Sequence, residues 1–495
     1  VIDPAVGSGP FLQGMLLELE RLRKRLDEKM DDLERRKEII RDNLYGVDID
    51  DIAVWLCELR LWLNLVEVME RNIKDIPPLP NLDHKIRKGD SLLQDVMNLR
   101  EYLPPQDLVS EIEKLEAKYL EGGEQARKRD EEIKEKRKEL VNWYIKNYGL
   151  RKLGEEVSFH WEIDFPDVFT KGSFDIAIMN PPYVRQEDIG KLKFFGPDYK
   201  SELLKNYKTP GRSDLYVYFY HRLKDLLDKD GIAVMVSSNS WLDVDYGRDL
   251  QQFLLKHFNM PVAYESEEER WFGAAVNTDI FILERNENDT DELTNFVAAS
   301  EDLEDRLLTG EKRMSLMMQN ILNGHGQRIG PGLLHNDTDF RVYQIGKSLL
   351  AEDSKWGKFL RAPEVFWKIL ERGKDKLVPL KEVADVRFGI KTGANKFFYV
   401  KDLTEDIEEK VLLEEFGYTK NGLKEESLRV VESGKGTRHL IEEEYLKPVI
   451  KSPREIEGII VTPERLKYKV FMVHESKRAL SGKKVREYIE WGEKR

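Results

Sequence analysis

The segment Phe174–Gln186, FDIAIMNPPYVRQ, sets an apolar run against an abrupt polar stop. Ile176 to Met179 reads as a strand, and Asn180, Pro181, Pro182 and Tyr183 end it. Each proline fixes its φ and removes a backbone donor, so the Asn-Pro-Pro turn cannot continue a ladder and turns its carbonyl acceptors outward. Asn180 adds a side-chain carbonyl and Tyr183 a flat face on which a ring can stack. Such a notch suits an amino group on an aromatic ring: two N–H donors meet two acceptors while the tyrosine holds the ring. A strand's carboxyl end is also where open α/β sheets keep their ligands.

A second cluster opens the chain. In Asp3-Pro-Ala-Val-Gly-Ser-Gly9, Gly7 and Gly9 allow a tight turn with close backbone approach to a ligand, and Pro10 suits the first turn of a helix. The pattern G-x-G-x-x-G is absent, because Leu12 stands where it needs a third glycine, which disfavours a pyrophosphate. Asp48, in GVDID after a second strand, can accept hydrogen bonds from ribose hydroxyls; its bland alternative is a helix cap. Asp90, in KGDSL, is a weaker signal and could simply start a helix. Glu116-Ala117-Lys118 has the letters of a nuclease motif, but its position in a helical segment reads as a solvated face.

These groups are spaced along alternating strands and helices. Strands are expected near the start, at 44–47, just before Asp90, at 174–179, in GIAVMVSS and in TDIFILER, with helices near 215–227 and 248–258. That alternation implies an α/β domain with a mostly parallel sheet. The first helix is expected to bury Leu19, Leu22, Leu26, Met30 and Leu33. A charge-dense stretch at about 104–148 carries Leu108, Ile112, Leu115 and Tyr119 on one helical face and Ile133, Leu140 and Tyr144 on another, an inserted helical hairpin. Residues 291–370 read as a helical linker, and after Pro379 short strands and turns mark a separate, smaller β-rich domain.

Composition narrows the classes. The 495 residues suffice for two or three domains, and 40% hydrophobic with 35% charged residues describes a globular chain with no apolar run of membrane-spanning length and no signal peptide, so the cytoplasm is the expected compartment. The single cysteine, Cys57, lies in an apolar helical stretch and is expected as a buried structural thiol; eight scattered histidines give no spacing for a metal site, and no metal is expected. Net charge is −13, yet residues 371–495 hold 27 basic and 24 acidic side chains against 53 and 69 elsewhere, a modest contrast that permits a DNA-contacting tail.

The motifs DPAVGSGPFL, GVDID, KGDSL, NPPYV and WFGAAVNTDIFIL, in that order, resemble adenine-N6 DNA methyltransferases, and the chain looks like the methyltransferase region and part of the target-recognition region of a type IIG restriction-modification enzyme. The resemblance implies a Rossmann-like class I methyltransferase sheet over residues 1–290 and a partial target-recognition domain at 371–495. It implies that Asp3, Ala5, Gly7 and Gly9 line the S-adenosylmethionine pocket, that Asp48 binds its ribose and Asp90 its adenine amino group, that Asn180 to Tyr183 are catalytic, and that Phe272 packs with Tyr183 against the target base. The implied partner is double-stranded DNA with an extruded adenine. Relatives of this motif order carry an earlier segment, so an upstream piece or a nuclease domain is expected as a further partner. Two alternatives stand beside this reading. A protein glutamine amide poses the same two-donor problem, and a catalytically inert DNA-binding fragment would keep the fold without the transfer.

Overall fold

The computed structural model describes residues 1–26, 29–69, 81–94, 99, 102, 104–120, 125–149, 159–266, 277–286, 292–299, 332–336, 340–353, 355–385, 387, 389–456, 458, 460–463 and 466–494. It divides into two compact units, Val1–Lys374 and Asp375–Arg495.

The first unit is built on a ten-stranded sheet in the order β3-β2-β1-β4-β5-β7-β6-β8-β10-β9. Its strands are β1 (Ile2–Asp3), β2 (Tyr45–Asp48), β3 (Ile86–Lys88), β4 (Phe174–Met179), β5 (Leu227–Ser238), β6 (Phe258–Ser266), β7 (Thr278–Arg285), β8 (Leu293–Ala299), β9 (Gly332–Asn336) and β10 (Phe340–Gly346). From β3 to β5 every pair is parallel, in the 3-2-1-4-5 order of a doubly wound nucleotide-binding fold. β7 then inserts antiparallel between β5 and β6. The expected α/β fold class is therefore present, with its switch point between β1 and β4. Ile2 makes that junction, pairing with Tyr45 on one side and Ala177 on the other.

Two expectations are corrected at the start and end of this unit. The first helical segment is two helices, α1 (Pro10–Leu26) and α2 (Asp32–Asn43), the latter capped by the Asp31 carboxylate accepting from the Leu33 and Glu34 amides. Leu12, Leu16 and Glu20 form the buried face of α1, while Leu22 and Leu26 are 43% and 88% exposed. Residues 291–370 are not a helical linker throughout, because β8 pairs parallel with β6 and β10 antiparallel with β8. These strands hide from a pattern reading because β8 is buried on both faces from Thr294 to Ala299 and so lacks alternation. Its polar letters are satisfied inside the sheet: Asn295 accepts from Gln344 at 3.0 Å and donates to the Pro261 carbonyl at 3.0 Å. Three short helices, Lys347–Ala351, Gly357–Arg361 and Glu364–Gly373, do follow.

The insert forms the expected hairpin of α4 (Gln106–Leu120) and α5 (Ala126–Tyr148), but its face is not wholly apolar. Glu116, read from sequence as solvated, is buried and accepts from Arg137 at 2.9 Å; Arg137 also donates to the Asp164 carbonyl and meets His84 Nδ1. Burial pushes the Glu116 carboxyl up to about 7. The pair ties α4 to α5 and both to the segment before β4.

The second unit holds a five-stranded antiparallel sheet, β13-β12-β11-β15-β14, with β11 at Tyr399–Asp402, β12 at Leu428–Glu432, β13 at Arg438–Glu442, β14 at Leu446–Val449 and β15 at Tyr468–Phe471. Val400, Val431, Ile441, Phe471, Val485 and Tyr488 fill its core. The stretch GANKFFYVK is a helical turn at Asn395–Phe398 followed by β11. Among the described residues no helix is long and apolar enough to cross a membrane.

Glu116→Ala strips Arg137 of its 2.9 Å carboxylate contact and leaves Asp164, at 3.7 Å, as the remaining ion-pair partner. The loss of a buried hydrogen-bonded partner is expected to destabilise the first unit by about 1–3 kcal/mol, whereas Lys118→Ala, on the exposed face of α4, should change stability by less than about 0.5 kcal/mol. Urea unfolding of both variants checks the contrast, and equal small effects would show that the pair is not part of the fold's support.

Candidate functional site

The glycine turn leaves β1 and returns as α1. Asp3 is buried and its Oδ1 accepts from the Ala5 amide at 3.0 Å, which bends the chain out of the strand. Gly7 and Gly9 both hold positive φ, +52° and +79°. At Gly9 the reason is also spatial: a Cβ there would lie 2.5 Å from Cys57 Sγ, on the facing helix α3 (Asp51–Glu67). Cys57 is thus the buried structural thiol expected, and burial raises its pKa. A Cβ at Gly7 would meet nothing within 4 Å, so that position faces open space above the sheet.

Asp48, at the end of β2, closes the turn from the side. Its Oδ2 accepts from the Gly7 amide at 2.9 Å and its Oδ1 from Asp50 at 2.9 Å. It is not the helix cap: Asp50 caps α3, accepting from Ile52. Asp90 follows β3, and its Oδ1 accepts from the Leu92 and Leu93 amides and from the Tyr199 hydroxyl at 3.1 Å. Burial raises its pKa. The Asp90-Ser91 turn is anchored by Ser91 donating to the Pro4 carbonyl at 2.6 Å and by Arg222 donating to the Ser91 carbonyl at 2.8 Å, so the ends of β1 and β3 are joined directly.

Asn180 to Tyr183 leave β4, the neighbour of β1 on the other side of the switch point. The Tyr183 hydroxyl donates to Asn180 Oδ1 at 2.5 Å, so the acceptor that an amino group would use is engaged by the adjacent phenol. Burial, with Asp279 adding to it, raises the Tyr183 pKa, and the hydroxyl stays a donor. Pro182 accepts from the Val184 amide at 3.0 Å, and the Val184 carbonyl accepts from Leu215 at 2.9 Å. Among the described residues the Pro181 carbonyl takes no hydrogen bond, which leaves it as a second acceptor beside Asn180. The following loop is pinned by Asp214, accepting from the Gln186 amide and from the Tyr246 hydroxyl.

Sequence reading missed the buried polar network behind this notch. Asp279, fully buried in β7, accepts from Ser237 at 2.6 Å and from Trp241 Nε1 at 3.1 Å, and Ser237 meets the Tyr220 hydroxyl at 2.9 Å. Burial pushes the Asp279 carboxyl up to about 8, as it does that of Asp3. The one available signal was an acid set inside the otherwise apolar TDIFIL strand. Phe272, expected against the target base, lies outside the described residues. Asp83, His84 and Asp130 come close enough together to hold a cation, but His84 meets Arg137 at one ring nitrogen and Asp130 at the other, and the guanidinium opposes a cation there.

Residues 42–272 match the family described as Eco57I restriction-modification methylase, a stretch that holds Asp48, Asp90 and Asn180 to Tyr183 and ends at Phe272. A putative type II restriction enzyme and methyltransferase, RM.MjaORFECS2P of Methanocaldococcus jannaschii, is 26% identical over 477 residues, which cover 80% of this chain and 37% of that protein. Type II methyltransferase M.BanIII of Aneurinibacillus aneurinilyticus is 24% identical over 240 residues, 48% of this chain and 39% of that protein. The chain thus spans less than half the length of both. Among solved structures, the type IIG restriction endonuclease BpuSI aligns over 99% of this chain and 42% of its own, at 12% identity and a TM-score of 0.42. The likeness read from the motifs holds across residues 42–272.

The two buried acids generate a prediction. In the unfolded chain an aspartate ionises near pH ~4, whereas the folded chain keeps Asp3 and Asp279 protonated up to about 8. The folded state therefore binds more protons between these values, and stability falls as pH rises through that window. Asp279→Asn mimics the neutral acid, with Nδ2 donating to Ser237 and Oδ1 accepting from Trp241. Melting temperatures measured from about pH 5 to 8 should decline less in the variant than in the parent; parallel declines would show that Asp279 is ionised in the folded chain.

Proposed function

We propose, from the Eco57I restriction-modification methylase region across residues 42–272, that this chain transfers a methyl group from S-adenosylmethionine to the N6 amino group of adenine in DNA, as part of a restriction-modification system. One observation carries the reading: Ile2 pairs with Ala177, so the glycine turn after β1 and the Asn-Pro-Pro-Tyr turn after β4 leave adjacent strands at the same edge of the sheet.

The residues at that edge fit the cofactor. Gly7 offers an unobstructed approach, Asp48 offers carboxylate oxygens with lone pairs left for ribose hydroxyls, and Asp90 keeps Oδ2 for an amino group because its backbone and Tyr199 bonds all fall on Oδ1. When bound, S-adenosylmethionine supplies an electrophilic methyl group. The protein's task is then to make a poor nucleophile adequate, since the lone pair of an adenine amine is delocalised into the ring. Asn180 Oδ1 and the Pro181 carbonyl accept its two protons, which concentrates charge on nitrogen and orients it, a matter of positioning and electrostatics. Asn180 Oδ1 accepts from the Tyr183 hydroxyl and keeps a second lone pair for the amine. Tyr183 serves through its ring, on which the extruded base stacks and recovers part of the few kcal/mol that flipping costs. The second unit, Asp375–Arg495, is the proposed site of target recognition.

The decisive experiment supplies the full chain with methyl-labelled S-adenosylmethionine and unmethylated plasmid DNA, followed by nucleoside analysis. Label in N6-methyladenine is expected; label on cytosine, on protein glutamine or nowhere would overturn the reading. Asn180→Ala should lower transfer by about a hundredfold or more with cofactor affinity retained. Tyr183→Phe keeps the stacking face and removes only the hydroxyl bonded to Asn180, so transfer should persist near the parent rate. Tyr183→Ala should lose about 1–3 kcal/mol of base binding. Single-turnover rates and calorimetric cofactor titration check the set, and equal loss in the Phe and Ala variants would show that the hydroxyl rather than the ring matters.

A further inference from the structure

The five-stranded unit contains a cleft of about 920 Å³, lined by none of the residues proposed for methyl transfer. Lys391, Lys396, Lys435 and Lys451 line it, all exposed, with the partly buried rings of Tyr399 and Trp491, and among the described lining residues none is acidic. Lys396, Lys435 and Lys451 have no carboxylate within ion-pairing distance among the described residues, and the Lys451 ammonium sits 4.0 Å from the centre of the Tyr468 ring. The unit as a whole is close to charge balance, so this concentration of one sign is local placement and not a by-product of composition.

The cleft is held in shape by backbone contacts. The Gly434 amide donates to the Lys396 carbonyl at 2.8 Å, and a Cβ at Gly434 would lie 2.7 Å from Lys396 Cα, so the turn carrying Lys435 sits directly on the segment carrying Lys396. That turn is closed by the Ser433 amide bonding to the Thr437 carbonyl at 2.9 Å. On the opposite wall a Cβ at Gly492 would come within 2.3 Å of the Phe397 ring. Phe397 stacks on Tyr488 at 4.7 Å and Tyr488 on Trp491 at 5.4 Å, which fixes the Trp491 wall.

The ammonium groups of Lys396, Lys435 and Lys451 around one concavity repel one another, and a ligand with several negative charges relieves that repulsion. Lysine acts on phosphate as a point charge and imposes no geometry of its own, so such a cleft reads phosphate without reading sequence. We propose that this cleft binds the phosphate backbone of the DNA duplex and holds it in register for recognition by other residues of the same unit. The inference rests on the reading that the chain acts on DNA.

The test uses the full chain and a Lys396→Gln/Lys435→Gln/Lys451→Gln variant, whose substitutions lie on exposed side chains. Duplex affinity is measured by fluorescence anisotropy across a salt series, for a methylated-site duplex and a scrambled one. The variant should bind both duplexes about tenfold or more weaker, with the slope of log K against log salt reduced by about 2 to 3, near 0.9 per lost contact. Its cofactor affinity and melting temperature should match the parent. Titration with inorganic phosphate alone separates the two sources of the same chemistry: a backbone site binds it no better than millimolar, whereas tight phosphate binding lost in the variant would overturn the duplex assignment. A parent that binds and methylates DNA with a variant of unchanged salt slope overturns this inference alone. A parent with no duplex affinity overturns the inference together with the reading on which it rests.

Discussion

The arrangement of the first unit depends on a very short strand. β1 is two residues long, yet Ile2 is hydrogen-bonded into the sheet between Tyr45 and Ala177. Chains that leave neighbouring parallel strands at their carboxyl ends and depart to opposite sides open a crevice between them. Everything assigned to chemistry here hangs from that crevice: the Asp3–Gly9 turn on one lip, Asn180 to Tyr183 on the other, and Asp48 and Asp90 at the ends of the next two strands outward. Because β1 offers so little pairing of its own, other bonds hold its end in place. The Val6 amide donates to the Val47 carbonyl at 3.0 Å and the Ser91 hydroxyl to the Pro4 carbonyl at 2.6 Å.

Rigidity at this edge is distributed unevenly. The glycine turn is confined from behind, where Cys57 leaves no room for a side chain at Gly9, and open in front, where Gly7 meets nothing. The Asn-Pro-Pro-Tyr turn is rigid in its backbone, through two fixed φ angles, and the Tyr183 hydroxyl bonds across it to Asn180. Behind it, Asp279 is satisfied by Ser237 and Trp241, so the sheet carries a buried acid without an unpaired charge while that acid stays protonated.

The second unit solves a different problem. Its sheet is antiparallel, so short turns join β12 to β13, and such turns can bring side chains from distant segments to one place. The lysines of its cleft come from positions 391, 396, 435 and 451, and the aromatic wall from 488 and 491. No local pattern links them.

What the sequence by itself determined is what local physics controls. A strand that stops at Asn-Pro-Pro, glycines after a strand followed by proline, the helical hairpin of the insert and a thiol inside an apolar helix were all legible, because each depends on φ restriction or on helical periodicity over a few residues. Tertiary structure decided the rest. Glu116 is buried because Arg137, 21 residues away, reaches it, and without that partner its letters describe a surface. β8 and β10 are strands because Asn295 and Gln344 satisfy each other across the ladder, which a residue-by-residue polarity scale counts as exposure. Asp48 is legible from its place after a strand, but that it bonds to the glycine turn and leaves the helix cap to Asp50 depends on β2 lying beside β1 in register. Burial and partner choice are properties of segments brought together across the chain, and sequence spacing carries no record of the distance at which they meet.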